Sequence, residues 1–361
     1  MKAVVVEEID RFGLAEVDLD PPKAGEVLIK MKATGVCHSD LSIINGTIPN
    51  PLPVVLGHEG AGVVEEVGEG VASVVPGDHV AISFIPSCGT CFHCLRRESY
   101  LCNVARQDGN LFDGTTRVHR AGKDIFVMSF CGLMAEYAVV PSACVIAIDR
   151  DVDFKAAALV GCGVSTGVGA VINTAKVAPG SSVAVFGCGG VGLNVVQGAR
   201  LVGASKIIAV DLSEDKMELA RKFGATHIID PGADAVKQIY AMTEGRGVDY
   251  AFEVVGSGKL VEQCVKAARR GGEVVVVGIG RSDDKFSIRQ PIMVFTAKSI
   301  VGSDYGGTNF RTDFPMYLDL YREGKLDLDS LVSKTYRLDE AMTAFEDLSS
   351  GVNARGVIVH D

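Results

Sequence analysis

Short runs of β-branched and aliphatic residues, separated by glycine and proline, fill the first part of the chain. Examples cover residues 4–6, 27–31 and 62–67. Runs of this length, bounded by residues that favour turns, are typical of β-strands. The pattern to about Asp153 therefore predicts an irregular, β-rich domain.

From about Val164 the pattern alternates between strand-like and helix-like segments. The predicted strands cover residues 182–186, 206–211, 226–229, 248–254 and 272–277, and the predicted helices cover residues 193–202, 213–223, 234–242 and 259–268. Repeated β–α–β units of this length predict a parallel, doubly wound sheet, and hence the α/β fold class. After about Ser303 the periodicity becomes mixed, and residues 354–359 predict a strand that returns to the first domain.

The composition narrows the classes of partner. The chain has 361 residues, 47% hydrophobic and 22% charged, with a net charge of −10, so it is long enough for two domains. The negative charge disfavours binding to nucleic acid and to anionic membranes. Residues 156–175 carry no charge, but their glycines and polar side chains predict a buried segment rather than a membrane span. With no signal-peptide pattern at the N-terminus, we expect a cytoplasmic protein.

The segment Gly187-Cys-Gly-Gly-Val-Gly192 matches the G-x-G-x-x-G pattern of dinucleotide-binding turns. Alone the pattern is weak, but here it follows a predicted strand and opens a predicted helix, as the dinucleotide fold requires. Gly187, Gly189 and Gly192 would allow a tight turn and a close approach to a pyrophosphate. Gly190 stands with them at the N-terminus of the helix, which favours an anion. The alternative is a turn with a purely structural role.

An acidic residue, Asp211, ends the next predicted strand, nineteen residues after Gly192. A carboxylate at this position accepts hydrogen bonds from the ribose hydroxyls of NAD. It would repel the 2′-phosphate of NADP, so the sequence predicts NAD. The alternative is a solvated carboxylate at a strand end.

Four of the ten cysteines, Cys88, Cys91, Cys94 and Cys102, lie within fifteen residues. Four thiolates this close can surround one ion and leave no open position, which is the arrangement of a structural zinc site. An iron–sulfur cluster and plain buried thiols are the alternatives. His93 lies inside the motif but is not needed as a ligand.

Three further candidates, Cys37, His58 and Cys162, are far apart in sequence. Two thiolates and one imidazole would leave a fourth position open for water or substrate, which an alcohol-oxidising zinc needs. From the residues alone, a lone cysteine is usually core and a lone histidine usually structural. The pattern therefore leaves both interpretations open.

Taken together, these motifs resemble the zinc-containing medium-chain alcohol dehydrogenases over nearly the whole chain. The resemblance rests on Gly57-His-Glu59, the four-cysteine motif, the Cys162 segment and the glycine-rich turn, in this order. Residues 113–117 are similar to the class I and class III-like branch, which includes bacterial aryl-alcohol and NDMA-dependent members and whose members are typically dimers. The resemblance implies a GroES-like catalytic domain (residues 1–163 and 304–361, with a structural-zinc lobe at 86–104) and an NAD-binding Rossmann domain (residues 164–303).

The resemblance also implies a role for single residues. Cys37, His58 and Cys162 match the catalytic zinc ligands, and Glu59 matches an acidic neighbour that can approach the metal. Asp40 matches the carboxylate that orients His58, Ser39 the hydroxyl that takes the substrate proton, and Phe84 an aromatic wall of the alcohol pocket. The implied cofactor contacts outside the glycine-rich turn are His38, Thr166, Val191, Asp211, Lys216, Val277 and Arg355.

The implied activity is reversible hydride transfer between a primary alcohol, allylic or aromatic as one option, and NAD, giving an aldehyde. The implied assembly is a homodimer with two zinc ions per chain, and a homotetramer is the alternative. One position departs from many relatives: Ser42 stands where a histidine passes the proton to solvent, so the relay must end differently.

Three other functions stay open at this point. The first is an S-(hydroxymethyl)glutathione dehydrogenase, supported by Arg106 as an anion-binding residue but opposed by residues 48–50, which lack an acidic pair. The second is an alcohol oxidoreductase that keeps its NAD bound and uses an external acceptor. The third is a non-catalytic Rossmann protein that senses NAD(H).

Overall fold

The chain divides into two compact units. The computed structural model describes residues 1–105, 108–229, 234–351 and 353–360. Unit 1 comprises Met1–Cys162 and Asn309–Asp361, and unit 2 comprises Gly163–Thr308. Arg106, the residue expected to bind an anion, lies outside the described residues.

The strands alternate with helices in the middle of the chain and cluster near its start. In chain order the strands are β1 (Lys2–Glu8), β2 (Arg11–Glu16), β3 (Asp18–Leu19), β4 (Glu26–Val36), β5 (Val54–Val55), β6 (Gly60–Val67), β7 (His79–Ile82), β8 (Val118–Arg120), β9 (Lys123–Val127), β10 (Tyr137–Pro141), β11 (Val145–Ala147), β12 (Ser182–Phe186), β13 (Lys206–Val210), β14 (His227–Ile229), β15 (Val248–Glu253), β16 (Ala268–Val276), β17 (Ser299–Gly302), β18 (Val332–Tyr336) and β19 (Arg355–Val359). The α-helices are α1 (His38–Ile44), α2 (Phe92–Leu95), α3 (Phe154–Leu159), α4 (Ser165–Gly169), α5 (Gly190–Leu201), α6 (Glu214–Phe223), α7 (Ala235–Met242), α8 (Gly258–Ala267), α9 (Gln290–Thr296), α10 (Phe310–Arg322) and α11 (Ala341–Ser349).

Unit 1 contains two sheets. One has six strands in the order β2-β1-β5-β9-β8-β3, and the other has seven, with the path β11-β7-β6-β4-β19-β18 and β10 paired to β4. The long strand β4 pairs antiparallel with β6, β10 and β19. The C-terminal strand therefore does return to the β-rich part of the chain, as its apolar run predicts.

Unit 2 is built on a six-stranded sheet in the order β14-β13-β12-β15-β16-β17, and all its strand pairs are parallel. A central strand of such a sheet is covered on both faces and reads as a continuous apolar run. In β12, for example, Val183 to Phe186 are all buried. The strand order reverses at β12, which makes the carboxyl end of β12 the place where a doubly wound sheet binds ligands. The predicted α/β class is confirmed.

One helical segment combines α-helical and π-helical turns. It runs from Phe154 to Thr174, with wider π-helical turns at Val160–Val164 and Ala170–Thr174. By length and composition alone it could cross a membrane, but 83% of its most apolar stretch of 18 residues is buried inside the structure. This agrees with the prediction of a buried segment.

A buried ion cluster fixes the start of β4. The guanidinium of Arg117, only 2% exposed, donates to both carboxylate oxygens of Glu26, at 2.6 and 2.9 Å. It also donates to Asp113 Oδ2 at 2.7 Å, and Lys23 Nζ lies 3.0 Å from the same oxygen. The segment Asp113–Arg117 is thereby attached to a strand some ninety residues earlier in the chain.

Candidate metal centres and dinucleotide crevice

Cys37, His58 and Cys162 meet inside unit 1. Cys37 lies between β4 and α1, His58 between β5 and β6, and Cys162 in the first π-helical turn. Their ligand atoms all lie within 4.8 Å of one another, and His58 Nε2 is 3.3 Å from Cys162 Sγ. All three side chains are buried. The structure thus brings together the two sulfurs and one nitrogen that spacing alone could not connect.

The orientation of His58 is set by Asp40. Nδ1 of the imidazole lies within hydrogen-bond distance of Asp40 Oδ1, at 3.4 Å, and the same oxygen accepts the N–H of Gly57 at 2.9 Å. This leaves Nε2 facing the two sulfurs, which is the arrangement found where a carboxylate supports a metal-binding histidine. Burial opposes a charge on His58, but the neighbouring Asp40 carboxylate outweighs it and raises the pKa of the imidazole.

The two thiols behave as a pair. A hydrogen bond from Cys162 lowers the pKa of Cys37 well below its usual value, in spite of burial. The pKa of Cys162 is raised, first because it donates to Cys37 and then because it is buried. Zinc binding requires both sulfurs as thiolates, so a bound divalent cation would replace the proton that Cys162 donates to Cys37. This donor set fits zinc, which prefers sulfur and imidazole nitrogen.

Glu59 and Arg355 form a buried ion pair beside this cluster. The guanidinium of Arg355, on β19, contacts Glu59 Oε1, and both side chains are almost fully buried. Burial raises the pKa of Glu59 to about 7, although Arg355 acts in the opposite direction. Gly35 is required here, because a Cβ at that position would lie 2.3 Å from Glu59 Oε1.

Ser39 and Phe84 lie at the edge of the cluster. Ser39 Oγ is 3.8 Å from Cys37 Sγ and is only partly buried, and the neighbouring His38 is exposed. The ring of Phe84 stands edge-on to His58, with 5.3 Å between ring centroids. A hydroxyl and an aromatic ring therefore flank the three candidate ligands.

The four-cysteine motif also closes into a cluster. The sulfurs of Cys88, Cys91, Cys94 and Cys102 lie within 4.8 Å of one another. Backbone N–H groups point at two of them, with Cys91 N 3.4 Å from the sulfur of Cys88 and Asn103 N 3.5 Å from that of Cys91. Hydrogen bonds from the backbone amides of Asn103 and Cys94 lower the pKa of Cys91, and those led by the amide of Thr90 lower the pKa of Cys88 to about 6. Donors of this kind favour the thiolates that a metal needs.

His93 takes no part in the four-cysteine cluster. Its Nδ1 lies 3.1 Å from Glu98 Oε2, and both side chains are partly exposed. Four sulfurs with no added ligand could surround one ion and leave no open position, which fits a structural zinc. The remaining thiols, Cys131, Cys144, Cys188 and Cys264, are buried and unpaired by disulfides.

The glycine-rich turn follows β12 at the reversal point of the unit 2 sheet. Gly187 has a φ of +100°, which L side chains rarely adopt, and a Cβ on Gly192 would lie 1.8 Å from Gly187 O. Gly189 is different, because a Cβ there would meet nothing within 4 Å. The first and last glycines are thus needed by the turn itself, while the middle one leaves open space in front of α5.

The N-terminus of α5 lacks the protection that its neighbours have. Gly189 precedes the helix with no side-chain cap, whereas Ser213 caps α6 and Asp234 caps α7. The first N–H of α8, from Gly258, is bound by Asp284 Oδ2 at 2.8 Å. An uncapped helix N-terminus facing open space is where a phosphate binds.

Asp211 is held rigidly beside this turn. Its Oδ2 accepts the N–H of Cys188 at 2.7 Å, and its Oδ1 accepts the N–H of Ser213 at 3.0 Å. The carboxylate that would read the ribose therefore also fixes the second residue of the glycine-rich turn. Of the other expected cofactor contacts in unit 2, the structure places Thr166 on α4, Val191 on α5, Lys216 on α6 and Val277 directly after β16.

Two features of these sites were not predicted from the sequence pattern. The pairing of Arg355 with Glu59 depends on residues nearly three hundred positions apart. Glu253, at the end of β15, binds the backbone N–H groups of Val255, Gly256 and Ser257 with a single oxygen. The only local hint for Glu253 is an acidic residue followed by Val-Val-Gly at a predicted strand end.

Comparison with known proteins identifies the family of the chain. A family profile described as "Alcohol dehydrogenase GroES-like domain" matches residues 23–150, and one described as "Zinc-binding dehydrogenase" matches residues 190–323. The chain is 40% identical to S-(hydroxymethyl)glutathione dehydrogenase of Paracoccus denitrificans, over 99% of each chain. It is 42% identical to the Escherichia coli protein of the same name, over 96% of this chain and 95% of that one.

A solved structure extends the agreement to the fold. The crystal structure of benzyl alcohol dehydrogenase from Acinetobacter calcoaceticus is similar with a TM-score of 0.94 and 32% sequence identity, over 100% of this chain and 99% of that chain. The predicted GroES-like and Rossmann architecture is thereby confirmed. The chain belongs to the zinc-containing medium-chain alcohol dehydrogenase family.

Proposed function

We propose that this protein is a zinc-dependent, NAD-linked dehydrogenase that interconverts a primary alcohol and its aldehyde. The observation that carries the proposal is the buried meeting of Cys37, His58 and Cys162, with Ser39 and Phe84 at its edge. The membership of the family supports the same activity.

The residues divide the chemical work as follows. Cys37, His58 and Cys162 would hold the catalytic zinc, and the four-cysteine cluster the structural one. When bound, zinc lowers the pKa of an alcohol oxygen, and NAD takes up the hydride. Asp40 keeps His58 in the orientation that presents Nε2. Ser39, the partly exposed hydroxyl beside Cys37, accepts the substrate proton and passes its own towards solvent, and Phe84 shields the reacting carbon from water.

The cofactor would bind at the carboxyl end of β12. The uncapped N-terminus of α5 would take the pyrophosphate, and Asp211 would take the ribose hydroxyls of NAD. His38, Thr166, Val191, Lys216, Val277 and Arg355 remain proposed contacts. All ten cysteines are free thiols, which supports a cytoplasmic location.

A second candidate is S-(hydroxymethyl)glutathione oxidation. The specific observation in its favour is that full-length relatives at 40–42% identity carry that name. Against it, residues 48–50 read Ile-Pro-Asn, with no carboxylate to hold the amino group of glutathione. The benzyl alcohol dehydrogenase similarity supports an aromatic alcohol instead.

One set of assays separates the candidates. The purified protein is analysed for zinc and then assayed with NAD and a panel of primary alcohols that includes benzyl and allyl alcohols. It is also assayed with formaldehyde in the presence and absence of glutathione. We expect two zinc ions per chain and turnover of free alcohols. Turnover of formaldehyde only with glutathione would establish the second candidate, and NAD retained through dialysis would establish a permanently bound cofactor. No turnover and a single zinc would leave an NAD(H) sensor.

We further propose that the protein is a homodimer joined through α9 and β17. The helix exposes Val294 and Phe295 by 64% and 74%, and β17 forms one edge of the described sheet. Exposed apolar side chains of this size beside an open sheet edge are typical of a protein interface. A two-fold axis at the edge would let each copy cover the same patch of the other.

A further inference from the structure

Two loops stand side by side at the carboxyl end of the unit 2 sheet. Residues 254–257 follow β15, and residues 277–289 follow β16. The first loop is joined to β12 by a hydrogen bond from Val254 N to Phe186 O, 2.9 Å long. The second is joined to β15 by a hydrogen bond of 2.9 Å from Val277 N to Glu253 O. The first loop is therefore a neighbour of the glycine-rich turn, and the second loop is a neighbour of the strand that precedes the first.

The backbones of these two loops touch at glycines. A Cβ on Gly256 would lie 2.5 Å from Ile279 O, and one on Gly278 would lie 2.1 Å from Gly256 N. A Cβ on Gly187, in the glycine-rich turn, would lie 2.5 Å from Val255 Cγ2. The loop after β15 is thus packed on one side against the loop after β16 and on the other against the first glycine of the turn.

A single carboxylate oxygen holds the loop after β15 in place. Glu253 is fully buried, and its Oε1 accepts the N–H groups of Val255 at 2.9 Å, Gly256 at 2.8 Å and Ser257 at 3.2 Å. Its Oε2 is buried with no hydrogen-bond partner among the described residues. A buried carboxylate with one unpaired oxygen is costly, and the three N–H hydrogen bonds to Oε1 are the described interactions that offset this cost.

The other end of the loop is held by a second carboxylate. Asp284, in the loop after β16, accepts the N–H of Gly258 at 2.8 Å, the residue that follows the three amides bound by Glu253. Four successive backbone N–H groups are therefore bound by acidic side chains. Asp283, the residue before, instead pairs with Arg281 on the surface and contacts none of these amides through any described hydrogen bond.

We propose that Glu253 is a positioning residue for the dinucleotide. The three hydrogen bonds that its carboxylate accepts from backbone N–H groups hold Val255 against Gly187, and this contact sets the position of the glycine-rich turn. This inference rests on the proposed binding of NAD at that turn. Without the carboxylate the three amides lose their acceptor, the loop relaxes, and Val255 no longer supports Gly187. The side-chain hydrogen bonds described for Glu253 all go to this loop, so we expect the effect to be confined to cofactor affinity.

The test compares Glu253→Met with Glu253→Gln in the full chain, loaded with zinc. Methionine has a similar length but no acceptor, whereas the glutamine oxygen can accept the same three N–H groups. We expect Glu253→Met to raise the dissociation constant for NADH, measured by fluorescence titration, about tenfold. We expect Glu253→Gln to stay within about threefold of the unmodified protein. The KM for NAD should rise in parallel, with the zinc content and the kcat at saturating NAD unchanged.

A merely structural role would lower the melting temperature of Glu253→Met without changing NADH affinity at 25 °C, and that result would overturn the proposal. If Glu253→Gln lost as much NADH affinity as Glu253→Met, the proposal would also be overturned. The negative charge of Glu253, rather than its hydrogen bonds to the three backbone N–H groups, would then be the property that matters. If Glu253→Met does not fold, the test is made with Asp284→Ala, and Asp283→Ala is its matched control. NADH binding that is about threefold weaker in Asp284→Ala alone supports the proposal. Equal NADH binding by the two variants refutes it. If the unmodified protein does not bind NADH, the proposed function itself fails.

Discussion

His58 Nε2 lies 3.3 Å from Cys162 Sγ, although 104 residues separate the two in sequence. Asp40 binds Nδ1 of His58, which leaves Nε2 facing the sulfur of Cys162, and Cys37 completes the group. A shared metal ion explains why an imidazole and two thiols are buried together. Substitution of any of the three residues tests this explanation.

Replacing Cys162 by alanine should remove the catalytic metal and leave the fold intact. We expect the zinc content to fall from two ions to one per chain and kcat to fall at least about a thousandfold, because alcohol activation is lost. The matched control is Cys264→Ala, which removes a buried thiol far along the chain from both clusters. Metal analysis and steady-state rates are the measurements, and normal turnover by Cys162→Ala would exclude the residue as a ligand.

Replacing Cys91 by alanine should act on stability first. Loss of one of four thiolates opens the closed site, so we expect one zinc fewer and a melting temperature lower by about 5 °C or more. His93→Ala is the control, since His93 bonds to Glu98 rather than to the cluster. Both variants are compared by calorimetry and metal analysis. A loss of zinc in His93→Ala would show that the histidine is a ligand after all.

Replacing Asp211 by alanine should weaken NAD binding. Two effects add: the ribose loses its acceptor, and Cys188 N loses the carboxylate that fixes the turn. We expect the KM for NAD to rise about tenfold to a hundredfold, with a smaller preference for NAD over NADP. Asp215→Ala, an exposed acidic residue in the first turn of α6, should leave both cofactors unaffected. An unchanged KM in Asp211→Ala would contradict the assigned role.

The ion cluster around Arg117 should make stability depend on acid pH. Partial burial opposes ionisation of Asp113, but hydrogen bonds from Lys23, Thr115 and Arg117 prevail and hold its pKa well below its usual value. A depressed pKa stabilises the fold above the unfolded value of about 3.9 and loses that contribution as the pH falls towards the folded value.

The pH dependence is tested with Asp113→Asn. Because Asp113 is partly exposed, we expect a loss of at most about 1 kcal/mol at pH 7. The difference from the unmodified protein should shrink as the pH falls from 5 to about 2. Urea unfolding at several pH values measures it, and Asp18→Asn, at an exposed position on β3, is the control. A difference that stays constant over this range would contradict the argument.

A charge on the apolar face of α9 should separate the proposed dimer. We expect Phe295→Asp to sediment as a monomer. Dimer formation would bury the new carboxylate without a partner of opposite charge, and the desolvation cost would exceed the gain from the remaining apolar contacts. Ile9→Asp serves as the control, since Ile9 is 58% exposed on unit 1. If Phe295→Asp stays dimeric, the copies meet elsewhere.

Local chemistry explains what the sequence could predict of this molecule. The apolar runs of β12 and β15 and the glycines of the turn act within a few residues, so their pattern is visible along the chain. The four cysteines are a local motif as well, and their sulfurs do meet in one cluster. The alternating strands and helices of unit 2 are found close to the predicted bounds for the same reason.

The features of the site that the sequence could not predict depend on contacts between residues that are far apart in the chain. Cys37, His58 and Cys162 could be grouped only through a family resemblance, because no periodicity connects a strand end, a loop and a helix. Arg355 was expected to contact the cofactor, whereas its observed partner, Glu59, comes from the opposite end of the chain. Glu253 was not singled out, since its role depends on where three backbone amides point after folding.

The π-helical turn at Val160–Val164 gives Cys162 a direction that an ordinary helix would not. Each residue of an α-helix rotates the next by about 100° around the axis, and a π-helical turn accommodates one residue more than an α-helical one. Deleting a single residue between Phe154 and Cys162 would therefore swing the sulfur roughly a quarter of the way around the helix. The direction of the Cys162 sulfur therefore depends on the number of residues between Phe154 and Cys162 more than on the identity of the side chains between them.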